Sequence, residues 1–432
     1  MTTQQVHKAD MSMIRRASTA ALVGTTIEWY DFFIYSTAAA LVFNKAFFPD
    51  ASPLIGTLLA FATFGVGFVM RPAGAVVFGH FGDKVGRKSI LVLTLFIMGG
   101  ATFLIGLLPT FSEIGILAPI LLVFLRLLQG FAIGGEWGGA VALVVEHAPP
   151  NRRGFYGSFP QLGVPLGFIL STVIFLVVNI TLPDASWGWR IPFLLSAVLI
   201  LVGMVIRLRI EESPMFREAQ EKARKSQTKE RMPIVEVFRS YWKQVLLALG
   251  LSLGFQVGGY LNLTYMLSYG TTVLGLPNNT LLIFVGIISS LSIPAIVGFC
   301  YLSDIIGRRK VFMFGAVGGA VMAFPLFLLV NTKVLALVFI GILLAALINQ
   351  AMSGPVAALF SEMFNTKTRY SGASMGYQVG AIIGGGFAPF IATALFAATG
   401  TSMAVAGYLF LSCAISAVCV LALKETAHKE LA

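Results

Sequence analysis

Apolar residues dominate this chain in runs of about 18–25, with polar residues gathered in short punctuations between them, the spacing expected of membrane-crossing helices. Twelve such runs are readable, with cores near 20–43, 54–80, 89–109, 116–145, 155–180, 190–207, 245–271, 280–301, 311–330, 334–360, 371–398 and 402–423. Only a helix satisfies its own backbone over runs of that length in lipid, so all twelve are expected to be helical. The segment from Arg209 to Lys243 breaks the pattern, being polar and charged, and it leaves six runs on either side. The expected organisation is a tail at 1–17, a six-helix bundle at 18–208, a connector at 209–243, a second bundle at 244–424 and a tail at 425–432.

Composition sharpens this picture. Of 432 residues, 57% are hydrophobic and only 11% charged, against about 25% charged in a typical soluble protein. The net charge of +11 does not point to nucleic acid, because about 25 of the Lys and Arg fall in alternate loops and the two tails, the positive-inside pattern. That distribution predicts a multi-pass membrane protein with both termini in the cytoplasm. Cys300, Cys413 and Cys419 lie in or at the ends of apolar runs without metal-ligand spacing and are expected to be packing residues. No metal or cofactor is expected, and neither HExxH nor GxSxG occurs, so nothing suggests an enzyme.

One punctuation recurs. "GHFGDKVGRK" follows the second run and "CYLSDIIGRRK" the eighth. Asp83, Gly86, Arg87 and Lys88 match Asp304, Gly307, Arg308 and Arg309 at one constant offset, which predicts parallel repeats about an axis normal to the membrane. A looser echo sets Glu146 before Arg152 and Arg153 after the fourth run, and Glu362 before Arg369 after the tenth. Gly86 permits a tight reversal, and these acids and bases are candidates for a gate of ion pairs at one membrane face, or for a simple anchor there.

These turns resemble the signature of the major facilitator superfamily, and "RLLQGFAIGG" (126–135) resembles its fourth-helix motif. "GTTIEWYDFFIY", "MRPAGAVVFGHFGD", "GEWGGA", "SWGWRIPF" and "EESPMF" are similar to its metabolite:proton symporter family, whose members carry α-ketoglutarate, citrate, shikimate, or proline and betaine. The resemblance implies twelve transmembrane helices in two pseudo-symmetric bundles, an all-α fold, with helices 1, 4, 7 and 10 around a central cavity. Cys300 stands where the second gate motif would carry glycine. The osmosensing proline/betaine member has a long coiled-coil extension where this chain stops soon after Lys424, which disfavours that role.

Polar residues inside the apolar runs supply the candidate chemistry. A charge at bilayer centre costs about 2.5–3.5 kcal/mol on insertion scales, so such residues are expected to work or to be paired. Glu28, Asp31 and Tyr35 share one helical face, as do Arg126, Gln129, Ile133 and Glu136. Arg71 lies about 13 Å of helix from His80, too deep to snorkel easily, and is expected to pair with a carboxylate. Three acids against two arginines make a plausible proton carrier: Glu28 or Asp31 as acceptor, Arg71 and Glu136 as coupling partners, Arg126 as the anion-binding group. A static ion-pair lattice is the competing account. Trp29, Phe32 and Phe33 are left to meet lipid or neighbouring helices.

The second half offers neutral groups instead. Gln256, Tyr260 and Thr264 share a face of the seventh run, with Asn349 and Gln350 in the tenth and Tyr377 and Gln378 in the eleventh. Together with Tyr35, Gln129 and Gln161, these are candidate substrate contacts, equally suited to helix–helix hydrogen bonding. The expected activity is proton-coupled import of a small organic acid (a dicarboxylate, tricarboxylate or shikimate-like acid) by a monomer. A zwitterion such as proline or betaine is the alternative, and a drug/proton antiporter fits less well.

Overall fold

In a computed structural model the chain is described at residues 11–85, 87–134, 144, 148, 152–182, 186–209, 241–363, 369–423 and 425. Side chains are described in the same stretches except at 11–17, 20, 79–91, 206–209 and 369–374. Twelve long helices run through these residues: α1 Met11–Leu41, α2 Pro53–Phe78, α3 Arg87–Leu107, α4 Leu117–Ile133, α5 Arg153–Thr181 and α6 Arg190–Arg209. The second set is α7 Trp242–Val273, α8 Asn278–Ile306, α9 Arg308–Asn331, α10 Leu335–Glu362, α11 Met375–Thr399 and α12 Ser402–Ala422. Most of the connector, 210–240, lies outside the described residues.

The helix pairings repeat. In the first half α1 packs on α5, α3 on α6 and α4, and α2 on α4. In the second, α7 packs on α11, α9 on α12 and α10, and α8 on α10, each pair displaced by six helices. The two sets meet where α5 packs on α8 and α2 on α11, again related by the same displacement. A duplicated sequence folding twice into one packing scheme accounts for all of these contacts.

Large apolar side chains on the outer faces, such as Ile116, Val321 and Val418, are 66–70% exposed, which suits a lipid solvent and no other. Ser and Thr within the helices mostly return their hydroxyl protons to carbonyls three or four residues earlier, as Thr57 does to Pro53 and Ser252 to Ala248, both at 2.8 Å. That local bond removes the cost of an unpaired hydroxyl in an apolar setting.

Two backbone features position the interior. Pro72 has no N–H to return to Phe68, and α2 departs from regular helix at Met70, so Arg71 sits at the break. Glycine brings α2 and α4 into backbone contact: a Cβ on Gly130 would run into the Gly67 carbonyl, and one on Gly134 into the Arg71 carbonyl. The helices that carry Arg71 and Arg126 are thereby held side by side. In the second half α7 contains π-type turns at Leu261–Tyr265 and Tyr269–Val273, and α11 one at Ile382–Gly386. Such turns redirect side chains that a regular helix would aim elsewhere.

Candidate functional site: a central cavity and a buried charge network

Between the two halves lies a cavity of about 90 Å³, lined from α1, α5, α7, α8, α10 and α11. A typical small-molecule site holds about 300–1,000 Å³, so the cavity is contracted. Among the predicted substrate contacts, Gln161, Gln256, Tyr260, Asn349 and Tyr377 line it. Trp29 and Phe33 do so too, stacked at 5.3 Å between centroids. The aromatic face of α1, which the sequence left to lipid or to neighbouring helices, is therefore turned inward: Trp29, Phe32 and Phe33 are all buried.

The cavity wall carries no ionised side chain among the described residues. It carries polar atoms without protein partners instead: Gln256 Nε2, the Tyr260 and Ser289 hydroxyls, and the side-chain oxygens of Asn262 and Asn349. Asn349 is held in place because its amide nitrogen donates to the Phe255 carbonyl at 3.2 Å, leaving Oδ1 open. Buried polar atoms normally find a partner, and each one left without costs about 1–3 kcal/mol. These atoms are the hydrogen-bonding groups that the wall presents to the cavity.

The charges stand behind this wall, inside the first half. Arg126 and Tyr35, predicted as substrate contacts, are 1% and 0% exposed and do not line the cavity; Gln129 and Gln378 do not line it either. The Arg126 guanidinium packs over the rings of Phe32, Tyr35 and Phe64 at 4.8, 4.3 and 5.0 Å, a favourable setting for a desolvated cation. Its Nη1 donates to Gln129 Oε1 at 3.1 Å, and Gln129 Nε2 donates to the Thr102 hydroxyl at 2.7 Å. Thr102 faces the Asp31 carboxyl. Its own proton is committed to the Met98 carbonyl at 2.9 Å, and neither buried Asp31 oxygen receives a well-formed hydrogen bond. Asp31, Thr102, Gln129 and Arg126 thus form one file across α1, α3 and α4.

Arg71 forms a second centre. Its guanidinium packs over Phe68 at 4.0 Å and Phe32 at 4.9 Å, so the Phe32 ring receives both arginines. Arg71 lies within electrostatic reach of Glu28, Tyr260 and Tyr377, and the two tyrosines line the cavity. A carboxylate of the first or fourth run is the expected partner of Arg71; among the described residues Glu28 is the acid within its electrostatic reach. Glu136, the third acid, lies outside the described residues.

At one end of the cavity Asp304 joins the halves. Its carboxylate accepts the Gly154 and Phe155 backbone N–H groups at the start of α5, both at 2.9 Å, where helix-end donors favour an anion. Arg308 reaches the same carboxylate at 2.6 Å and Glu362 at 3.5 Å. Gly307 makes the turn with φ of +104°, and Cys300 is buried within α8, seven residues before it. Arg153 is buried at the same junction. The first-half partners Asp83, Gly86, Arg87 and Glu146, with Arg369, lie outside the described residues or side chains. Gln161 Nε2 crosses to the Ser353 carbonyl at 2.7 Å near this end. Toward the other end, the Thr264 hydroxyl donates to that of Ser36 at 3.3 Å and Asn179 meets Asn279 at 3.5 Å. The cavity is therefore bridged on both sides.

Sequence reasoning missed Thr102, Ser289 and the aromatic box of Phe32, Phe64 and Phe68. Small hydroxyls and phenylalanines are ordinary in membrane helices, and only packing distinguishes these.

Comparison with known proteins agrees with this architecture. Residues 17–432 match the family model described as "Sugar (and other) transporter". The chain is 45% identical over 426 residues to the "Shikimate transporter" of Escherichia coli (strain K12), covering 96% of both chains. It is 35% identical to the "Proline/betaine transporter" of the same organism, across 100% of this chain and 87% of that one. Among solved structures, the partially occluded inward-open xylose transporter XylE from E. coli superposes with a TM-score of 0.74 at 19% identity, covering 97% of this chain and 100% of that one. The chain belongs to the sugar (and other) transporter family, with the fold of a major facilitator superfamily structure, and it is a multi-pass membrane transporter rather than an enzyme.

Proposed function

We propose that this transporter is a proton-coupled symporter that imports a small hydroxylated organic acid by alternating access, with both termini in the bacterial cytoplasm. The observation that carries the reading is the cavity wall: donors at Gln256, Tyr260 and Ser289 stand beside acceptors at Asn262 and Asn349, all without protein partners. A ring acid bearing hydroxyls both donates and accepts, and so satisfies both kinds. The shikimate transporter, at 45% identity, supports that substrate class. The buried acids Glu28 and Asp31 near two arginines supply the titratable groups that coupling requires.

A second reading is uptake of a zwitterion, favoured by the proline/betaine relative and by the aromatic rings of Trp29, Phe33, Phe255, Tyr260 and Tyr377 in the wall. Betaine has no hydrogen-bond donor, so the Asn262 and Asn349 oxygens would stay unpaired, at about 1–3 kcal/mol each. The hydroxylated acid is preferred to betaine on that ground; proline, whose ammonium group donates, is separated from it by the uptake experiment. The deciding experiment is uptake into proteoliposomes under an imposed inward proton gradient, with labelled shikimate, α-ketoglutarate, citrate, proline and betaine. Accumulation of a hydroxylated acid above equilibrium supports the reading, and accumulation of betaine or proline alone overturns it.

A further inference from the structure

Two of the buried arginines in the first half, Arg71 and Arg126, stand behind the cavity wall, and the sequence nominated Arg126 for the substrate's anion. The geometry points to the other. Arg126 is enclosed by Phe32, Tyr35 and Phe64 and engaged by Gln129, with no position on the cavity wall. Arg71 sits at the break in α2, 4% exposed, with its Nε lacking a hydrogen-bond partner. It packs on Phe68 and Phe32, rings against which the cavity-lining Tyr260 also packs at 5.9 Å. Tyr260 packs on Phe64 as well, at 5.8 Å, so Arg126 is equally near; what sets Arg126 apart is that its Nε and Nη1 are committed to the Phe64 carbonyl and Gln129. One aromatic layer therefore separates Arg71 from the cavity. Among the described residues, the charged and titratable groups around it are Glu28 of α1, Arg126 of α4, Tyr260 of α7 and Tyr377 of α11. Glu28 in turn acts on Arg71, Tyr260 and Tyr377, so it faces the cavity side of the network, whereas Asp31 faces Thr102.

We infer that Arg71 is the carboxylate subsite of the transported acid and that Glu28 is its exchangeable counter-ion, the two anions competing for one guanidinium. This rests on the symport reading above. Among the described residues the cavity wall has no cation of its own, so a carboxylate entering it needs Arg71, which Glu28 balances before substrate enters. A proton from the outer side bonds to the Glu28 carboxylate and neutralises it; the substrate carboxylate then takes its place beside Arg71. The local net charge is the same before and after, one proton accompanying each carboxylate. On the inner side the substrate leaves, the Glu28 O–H bond releases its proton to water, and the Glu28–Arg71 pair re-forms. Coupling follows because Arg71 gains little from a second anion while Glu28 stays ionised. Tyr260 and Tyr377, donors beside both groups, are placed to shift from one anion to the other.

The test is equilibrium binding of shikimate and of its methyl ester, which lacks the ionised carboxylate, to the purified full chain in lipid nanodiscs. Proline and betaine serve as parallel probes, at about pH 5.5 and about pH 8. The unaltered protein is expected to bind the acid more tightly at the lower pH and the ester equally at both. Arg71→Gln should weaken the acid by at least about tenfold, the weight of one charge-assisted pair, and move the ester less than about twofold. Glu28→Gln should bind the acid as tightly at high pH as at low. Equal losses of acid and ester in Arg71→Gln overturn the assignment. Should that variant fail to fold, Glu28→Gln decides: acid binding that still varies with pH overturns it. If the unaltered protein binds neither acid nor ester, the organic-acid reading itself has failed, whether or not proline or betaine binds.

Discussion

The two halves share one packing scheme but carry opposite chemistry. The first buries Glu28, Asp31, Arg71 and Arg126 behind aromatic rings; the second contributes amides, phenols and hydroxyls directly to the cavity wall. Ionised groups are costly in an apolar interior and repay that cost where their charge state changes during function. Neutral amides discriminate by geometry and need no counter-ion. On the proposed function, one packing scheme used twice carries coupling in the first half and recognition shared with the second.

That division can be broken from either side. The largest effect is expected from Glu28→Gln, which should reduce gradient-driven accumulation to simple equilibration while leaving exchange of labelled for unlabelled substrate intact. Uptake assayed with and without a pH gradient measures it. Next is the junction: Asp304→Asn strips a buried anion from Arg308 and two backbone donors, a loss of about 3–5 kcal/mol by analogy with broken buried pairs. It should favour opening at that end, seen as faster labelling of a cysteine placed at Ser353 by a thiol reagent. Asn349→Ala removes an acceptor from the cavity and frees the Phe255 carbonyl. It should raise KM by about 5–100-fold, equivalent to about 1–3 kcal/mol, with the pH dependence of uptake preserved. The smallest effect belongs to Glu113, in the exposed turn between α3 and α4. The Thr110 backbone N–H, then its hydroxyl, hold that carboxyl below its usual range. Its contribution is present above the unfolded value and fades as pH falls through the folded one. Glu113→Gln should flatten that acid-side slope in a thermal melt and leave uptake untouched.

Much of this was legible in the sequence. Apolar run lengths located the helices, the repeated Asp–Gly–Arg turn announced the duplication, and the spacing of Glu28, Asp31 and Tyr35 marked a polar face on α1. What stayed hidden has a common cause. In a membrane both the lipid-facing and the protein-facing sides of a helix are apolar, so periodicity could not say that Phe32 meets two guanidiniums rather than lipid. Nor could it rank the arginines: Arg71 and Arg126 are both single charges in apolar runs, and their relation to the cavity depends on a proline break and glycine contacts between α2 and α4. Thr102 stands between Gln129 and Asp31 only because α3 packs beside both α4 and α1, contacts more than twenty residues away in the chain.

The central claim is that buried charge in the first half couples while neutral groups in the second half select. It is tested most directly by measuring, in the same proteoliposomes, both the accumulation ratio and the substrate preference of Glu28→Gln and Asn349→Ala. The account predicts that the first variant loses accumulation and keeps its preference, and that the second keeps pH-dependent accumulation and loses discrimination among acids. If Glu28→Gln still concentrates substrate along a proton gradient, or if both variants fail in both properties alike, the division of labour is contradicted.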